Sequence, residues 1–382
     1  MRHLFTLGMI ALCLQPALAA AQVAVEAPVL VDTTNQAPAP EDTTNQKLHG
    51  TSLKAFPYAY YTPETELAIG AGGILTFYTA QERILKPSKV AASFYYSTRK
   101  QYKLSVDPQL YLSRNEIFTS MYLDLGQAVN KYYGTGSGTS DLGVEDYEMF
   151  YWGAKIQFQA KPKVLNVTRA GVLYEFHSDD VTDKQQNPFL LQDQVAGSEG
   201  GTLSGPGFTA VVDSRDHLFF PNRGGKYTFE YMLYTHSLGS DFNYNIATLD
   251  LRQYRSFSPD HVLALQAYAQ WAGGDVPFYR LPALGGQNRM RGYFYGRYVD
   301  QCYLTGQAEY RQYFWKRLGF VVFGAFGNVA NAFKDLSFKD TNISAGAGLR
   351  LIFNEAEKVN LRVDLGFGSE SNGVYFGLEE AF

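Results

Sequence analysis

Cysteine is nearly missing: the 382 residues hold two, Cys13 and Cys302. Cys13 belongs to an N-terminal leader-like segment, so Cys302 stands alone in the body of the chain, which excludes an intrachain disulfide and a cysteine metal pair there. Long apolar runs are missing as well. The best one after the N-terminus, Leu318 to Phe326, has nine residues and includes two glycines, against the roughly 20 that a spanning helix needs. Charge is also sparse, at 18% of residues, and the net charge of −4 leaves no basic excess. A phosphate backbone needs such an excess, so nucleic acid is not expected as a partner. Histidines after the leader occur singly, at His49, His177, His217, His236 and His261. No Gly-x-Ser-x-Gly elbow and no His-Glu-x-x-His pair accompanies them. The string His177, Ser178, Asp179 has the composition of a catalytic triad, but adjacent residues do not meet in triad geometry. Gly134 to Gly138 lacks the Lys-Ser/Thr of a phosphate loop and reads as a surface loop. Neither enzyme chemistry nor a cofactor or metal is expected.

What is present is aromatic side chain and glycine: 28 Tyr, 27 Phe and 36 Gly, a composition suited to strands and turns. Residues 1–21 read as an export signal, with Arg2 and His3 before the apolar stretch Leu4 to Leu14 and small residues at Ala17, Ala19 and Ala21 for cleavage. Leu12 before Cys13 is not the small residue that lipidation prefers. Residues 22–50 contain no aromatic and repeat one string at Asp32 to Gln36 and Asp42 to Gln46, which is expected of a disordered periplasmic tail.

From residue 51 to 382 the period is two. In one stretch Val359, Leu361, Val363, Leu365 and Phe367 share a face opposite Asn360, Arg362, Asp364 and Gly366. In another, Ile343, Ala345, Ala347, Leu349, Leu351 and Phe353 alternate with Ser344, Gly346, Gly348 and Arg350. One face suits lipid and the other water, the signature of a transmembrane β-barrel in an exported chain without a spanning helix.

Sixteen strands are predicted, near 55–61, 66–79, 89–98, 100–112, 115–125, 146–161, 163–178, 204–213, 225–237, 241–257, 261–272, 299–314, 317–326, 340–353, 357–367 and 373–382. An even count puts both termini on the periplasmic side. Short links then follow even strands, as at Ser113 and Arg114 or Trp315 and Lys316, and long ones follow odd strands, as at Asn130 to Glu145, Asp179 to Leu203 and Gly273 to Tyr298. Tyr58, Tyr60, Tyr61, Tyr132, Tyr133, Phe219 and Phe220 fall near strand ends and suit interfacial girdles. The terminal Phe382, with Val374, Phe376 and Leu378 on its face, is the expected C-terminal signal of a lipid-facing closing strand, broken by Glu380 near the interface.

Local motifs add detail. Asp213, Ser214, Arg215 and Asp216 precede Phe220, Pro221, Asn222, Arg223, Gly224 and Gly225, and would form a tight periplasmic turn of structural value. Arg289, Met290, Arg291, Gly292 and Tyr293 lie in the long link after the eleventh strand. The final third carries Glu309-Tyr310-Arg311, Ala325 to Asn328, Gly346 to Arg350 and Leu361 to Asp364. In order and position these resemble the bacterial surface-antigen superfamily of sixteen-stranded outer-membrane barrels, which includes BamA, TamA and the two-partner-secretion translocators.

The resemblance covers roughly residues 51 to 382. It implies that the Arg-Gly-aromatic element, Arg291 to Tyr293, sits on a sixth extracellular loop folded into the lumen. A guanidinium can offset the entropy lost by such a loop through paired bonds to a carboxylate, and Glu309 and Asp364 are the inward-facing candidates. The family's usual aspartate on the thirteenth strand corresponds to Asn328 here, leaving Arg291 with Glu309 or a neutral hydrogen bond. Family members that assemble or translocate proteins carry POTRA domains of about 75 residues before the barrel, for which 22–50 is too short. A member reduced to its barrel is therefore expected. The resemblance further implies a weakly paired seam between first and last strands, and a monomer that assists insertion or passage of protein or lipid at the outer membrane of a Gram-negative bacterium. Outer-membrane lipid, lipopolysaccharide, a client polypeptide and a periplasmic protein are the partners this implies. A passive pore, and after it an outer-membrane hydrolase, are the alternatives.

Overall fold

Alternation of apolar and polar side chains turns each segment into a two-faced strand, and a lipid bilayer accepts such strands only when every backbone group is paired by a neighbour. Everywhere but at the boundary of the first and last strands the chain meets that demand, with a single antiparallel sheet of sixteen strands whose order follows the sequence. The computed structural model describes residues 51–79, 87–162, 168–185, 187–191, 195–217, 220–258, 260–315, 317–354, 359–369, 371–378 and 380–382. The expected signal segment 1–21, the tail 22–50 and Phe219 lie outside them.

The strands are β1 (Ser52–Thr62), β2 (Glu66–Phe77), β3 (Ser88–Ser97), β4 (Tyr102–Leu112), β5 (Ile117–Lys131), β6 (Asp146–Ala160), β7 (Arg169–Asp183) and β8 (Gly200–Asp213). They continue with β9 (Gly224–Tyr234), β10 (Tyr244–Ser258), β11 (His261–Gly274), β12 (Cys302–Trp315), β13 (Leu318–Ala330), β14 (Asn342–Asn354), β15 (Val359–Gly368) and β16 (Asn372–Leu378). Most boundaries fall within three residues of the alternation pattern. β5 runs six residues further, to Lys131, because its ladder with β6 continues to the pair Lys131↔Asp146. The first strand is longer than expected and the last is shorter, with seven residues. Among the described residues no helix is long and apolar enough to cross a membrane.

The outward face is apolar and exposed: Phe208, Leu249, Leu265, Phe326, Leu349, Leu365 and Phe367 each show more than a third of their surface. Inward positions of the same strands hold Asp250, Arg252, Gln266, Arg350 and Asp364. Short links join β4 to β5 (113–116), β10 to β11 (259–260) and β12 to β13 (316–317) at one rim, while 132–145, 184–199 and 275–301 crowd the other. The ten-residue links 78–87 and 214–223 depart from the short-link rule on the first rim. Three ladder irregularities, at Ser256/Ser258, Tyr313/Trp315 and Ile352/Asn354, sit on that rim, where bulges bend strand ends.

Two expectations are corrected here. The predicted girdle tyrosines Tyr58 and Tyr60 point inward from β1, stacked at 6.2 Å, and Tyr132, Tyr133 and Phe220 are buried. Strand ends attract aromatics for loop packing as readily as for the interface. Phe382 is not on the lipid face either. β16 stops at Leu378, and Ala381 and Phe382 pack against Tyr254 and Ala264 on the inner face of β10 and β11.

Candidate functional site

The inner wall of β12, β14 and β15 places charged residues at positions of one parity: Glu309 and Arg311, Arg350, Arg362 and Asp364. The connection 275–301 descends onto this wall. Its chain is shaped by a two-residue ribbon pairing Ala283–Leu284 with Tyr298–Val299, and by Leu284, Met290, Tyr293 and Tyr298 clustering with Tyr268, Tyr303, Ala325 and Val329 of the wall.

Arg291 donates from Nη1 to Asp364 Oδ2 and from Nη2 to Glu309 Oε2, each at 2.6 Å. All three side chains are fully buried. Two carboxylates on strands three apart thus share one guanidinium, whose flat face lies 3.5 Å from the centre of the Phe323 ring on β13. The backbone beyond Arg291 comes so close to β15 that no Cβ fits: at Gly292, with φ +111°, one would stand 2.7 Å from Gly368 N and Phe367 C. Gly292 N donates to the Tyr375 hydroxyl of β16 at 2.9 Å, and Ser371 Oγ donates to Gly292 O. Tyr293 donates its hydroxyl to Ile343 O at 3.1 Å and lies 2.9 Å from Ser369 Oγ.

Four further groups join the cluster. Arg350 donates to Asp364 Oδ1 at 2.6 Å and to Glu380 Oε2 at 2.8 Å. Arg311 donates to Glu309 Oε1 at 2.7 Å and to the Phe382 carbonyl at 3.0 Å. Arg362 lies 3.5 Å from Asp364 Oδ2 and donates to Asn288 Oδ1 of the connection at 3.2 Å. Glu380 is also bonded by Tyr313 and Asn360, at 3.2 and 2.6 Å. A buried guanidinium or carboxylate is tolerated only when paired and hydrogen-bonded, so connection, wall and C-terminal residues form one interdependent unit. The wall arginines and Glu380 were readable as inward or face-breaking residues, but their role was not.

Asn328 has another place. Even positions of β13 face outward, and Asn328 Nδ2 donates to Ser337 O at 2.9 Å in the link 331–341. The contribution of β13 to Arg291 is the Phe323 ring, which counting along the motif could not identify. The Asp213 to Gly224 element spans ten residues between strands and is not a tight turn. Asp213 binds Arg215 through two bonds of 2.9 Å, and Asp216 Oδ1 accepts from the Asn222 and Arg223 amides at 2.9 and 3.1 Å. Pro221 is buried and Gly224 takes φ +86°. The link turns Phe220 onto Tyr313, ring centres 5.1 Å apart, which carries it to the base of the arginine cluster. Among the described residues no group of His, Cys, Asp and Glu gathers to hold a metal.

Fold and site together define a sixteen-stranded membrane barrel whose interior wall is cross-linked to its longest connection by buried ion pairs. Residues 86–382 match the Omp85 superfamily domain, and the chain belongs to that superfamily. It is therefore a non-enzymatic barrel of the Gram-negative outer membrane. Solved structures that share the fold include the following two. BamA of Haemophilus ducreyi lacking POTRA domains 1–3 has 13% identity and a TM-score of 0.61, over 90% of this chain and 74% of that one. CdiB from Acinetobacter baumannii has 11% identity and a TM-score of 0.56, over 87% of this chain and 65% of that one. No curated protein matches in sequence.

Proposed function

We propose that this barrel assists the insertion or passage of polypeptide or lipid at the outer membrane, and that a polypeptide strand enters at the boundary between β1 and β16. The observation that carries this reading is the contrast between that boundary and every other. Each sequential pair of strands is joined by a ladder, whereas β1 and β16 lie side by side with no paired register among the described residues. Unpaired strand edges offer amide and carbonyl groups to an incoming strand, and in hydrocarbon those groups are costly to leave unsatisfied. The kinship with BamA and CdiB supports the same reading. The buried contacts of Arg291 with opposed carboxylates argue against a steady open pore.

A client polypeptide and outer-membrane lipid, lipopolysaccharide included, are the partners this reading requires; the barrel works as a monomer, and a separate periplasmic protein would bring the client. The test uses proteoliposomes of the folded protein. They should speed the insertion of a small, urea-unfolded outer-membrane barrel, and a photocrosslinker at Ala59 in β1 should capture that client while one at Leu249 in β10 does not. Equal capture at both positions, or no gain in insertion over empty liposomes, would sink the proposal.

A further inference from the structure

The connection 275–301 carries four arginines, and Arg280 stands apart from the cluster on β12 to β16. Arg280 ends the short 3-10 turn Phe278–Arg280. Its Nη1 lies 3.2 Å from Glu175 Oε1 and its Nη2 3.8 Å from Asp179 Oδ2, both inward-facing on β7. These acceptors are braced from behind. The Tyr234 hydroxyl donates to Glu175 at 2.8 Å, and His177 Nδ1 lies 2.9 Å from Asp179. Beside Arg280, Phe278 is buried against Tyr132, Tyr147, Met149, Val181 and Leu190, and its amide donates to Ala196 O at 2.9 Å. In a sheet of sixteen, β7 and β15 stand half a circuit apart.

We infer that the connection is a crossbar fixed at both ends, with Arg280 as the positioning residue that holds it to β7 while Arg291 holds it to β12 and β15. Either anchor alone holds the connection, because a released end stays tethered beside its own acceptors and re-forms that contact as an intramolecular event at high effective concentration. Loss of Arg291 alone therefore leaves the crossbar across the lumen, and the barrel opens fully only when both ends are released. The inference concerns the resting barrel whatever its cargo, and goes beyond the proposed insertion activity.

The test is single-channel conductance of the full-length protein in planar bilayers, with folding checked by circular dichroism. Arg280→Gln and Arg291→Gln should each change open probability little. Together they should raise it about tenfold beyond the product of the two single effects, a coupling of ~1.4 kcal/mol. Arg280→Lys in the Arg291→Gln background should restore closure, because a lysine keeps the attraction to Glu175. Hydrogen exchange on the single variants gives a reading that does not need the double one: residues 278–281 should stay protected when Arg291 is replaced, and residues 290–293 when Arg280 is replaced. A double variant no more open than Arg291→Gln would overturn the inference. So would a lysine as ineffective as glutamine, or exchange that rises at both ends in either single variant. Any of these would leave the client-insertion test untouched, since that test reads strand capture at β1.

Discussion

The two halves of this barrel use the same strand pattern to opposite ends. Between β1 and β5 the inner wall leaves a cavity of about 250 Å³ lined by Phe56, Tyr58, Ile74, Ser93, Asp107 and Tyr122. On the same wall Lys103 stands 3.2 Å from Asp124, with side chains 29% and 12% exposed. Between β11 and β16 the connection, the C-terminal residues and Phe220 pack against the inner wall, and Glu309 and Asp364 are wholly buried. An aspartate on an inward strand position is thus a partly exposed lumen group in one half and a wholly buried keystone in the other. Parity along a strand sets the direction of a side chain, and the neighbouring segments set its energetic weight.

Mutations measure that difference directly, as unfolding free energies in urea with the barrel in lipid vesicles. Asp364→Ala should have the largest effect, about 3–5 kcal/mol, because it leaves Arg291, Arg350 and Arg362 buried without their shared acceptor. Gly292→Ala comes next, at about 1–3 kcal/mol, since the residue would keep a left-handed backbone and press its methyl group onto β15; protease access to the connection should rise in parallel. In the emptier half, Asp124→Ala should cost about 1 kcal/mol, because Lys103 and His177 stay within reach of water. The comparison would break if this loss matched that of Asp364→Ala. Arg215→Ala should have the smallest effect, about 0.2–1 kcal/mol, as its partly exposed pair with Asp213 joins the end of β8 to the residue two further on. A larger loss would show that the link, through Phe220 and Tyr313, supports the filled half.

The strands were legible because a period of two survives any error in locating their ends: Leu361 to Phe367 and Ile343 to Leu351 declare their faces without knowledge of their neighbours. Arg291, Glu309 and Asp364 were legible for a related reason, as a loop arginine and two inward carboxylates within a short list of possible partners. The roles of Arg311, Arg350 and Arg362 were hidden, although their inward parity was not, because an inward arginine can equally be solvated. Asn328 was misplaced because the motif was counted by position, whereas the strand offers alternate faces and Phe323 held the facing one. Phe382 looked like the end of a lipid-facing strand, and the face-breaking Glu380, which its place near the interface explained, was the one sign in the alternation that the chain leaves the sheet after Leu378.

Taken alone, the sequence determined a membrane barrel of sixteen alternating strands, the length of its connections and the charges available to its interior. These follow from interactions that repeat every second residue along the chain. Which charges are buried, which segment covers them and where the wall lacks a ladder were decided by tertiary structure, because they depend on contacts between segments as far apart as Arg280 and Glu175, or Arg291 and Asp364. Burial and pairing are properties of the assembled barrel, and they arise only when those segments are brought together.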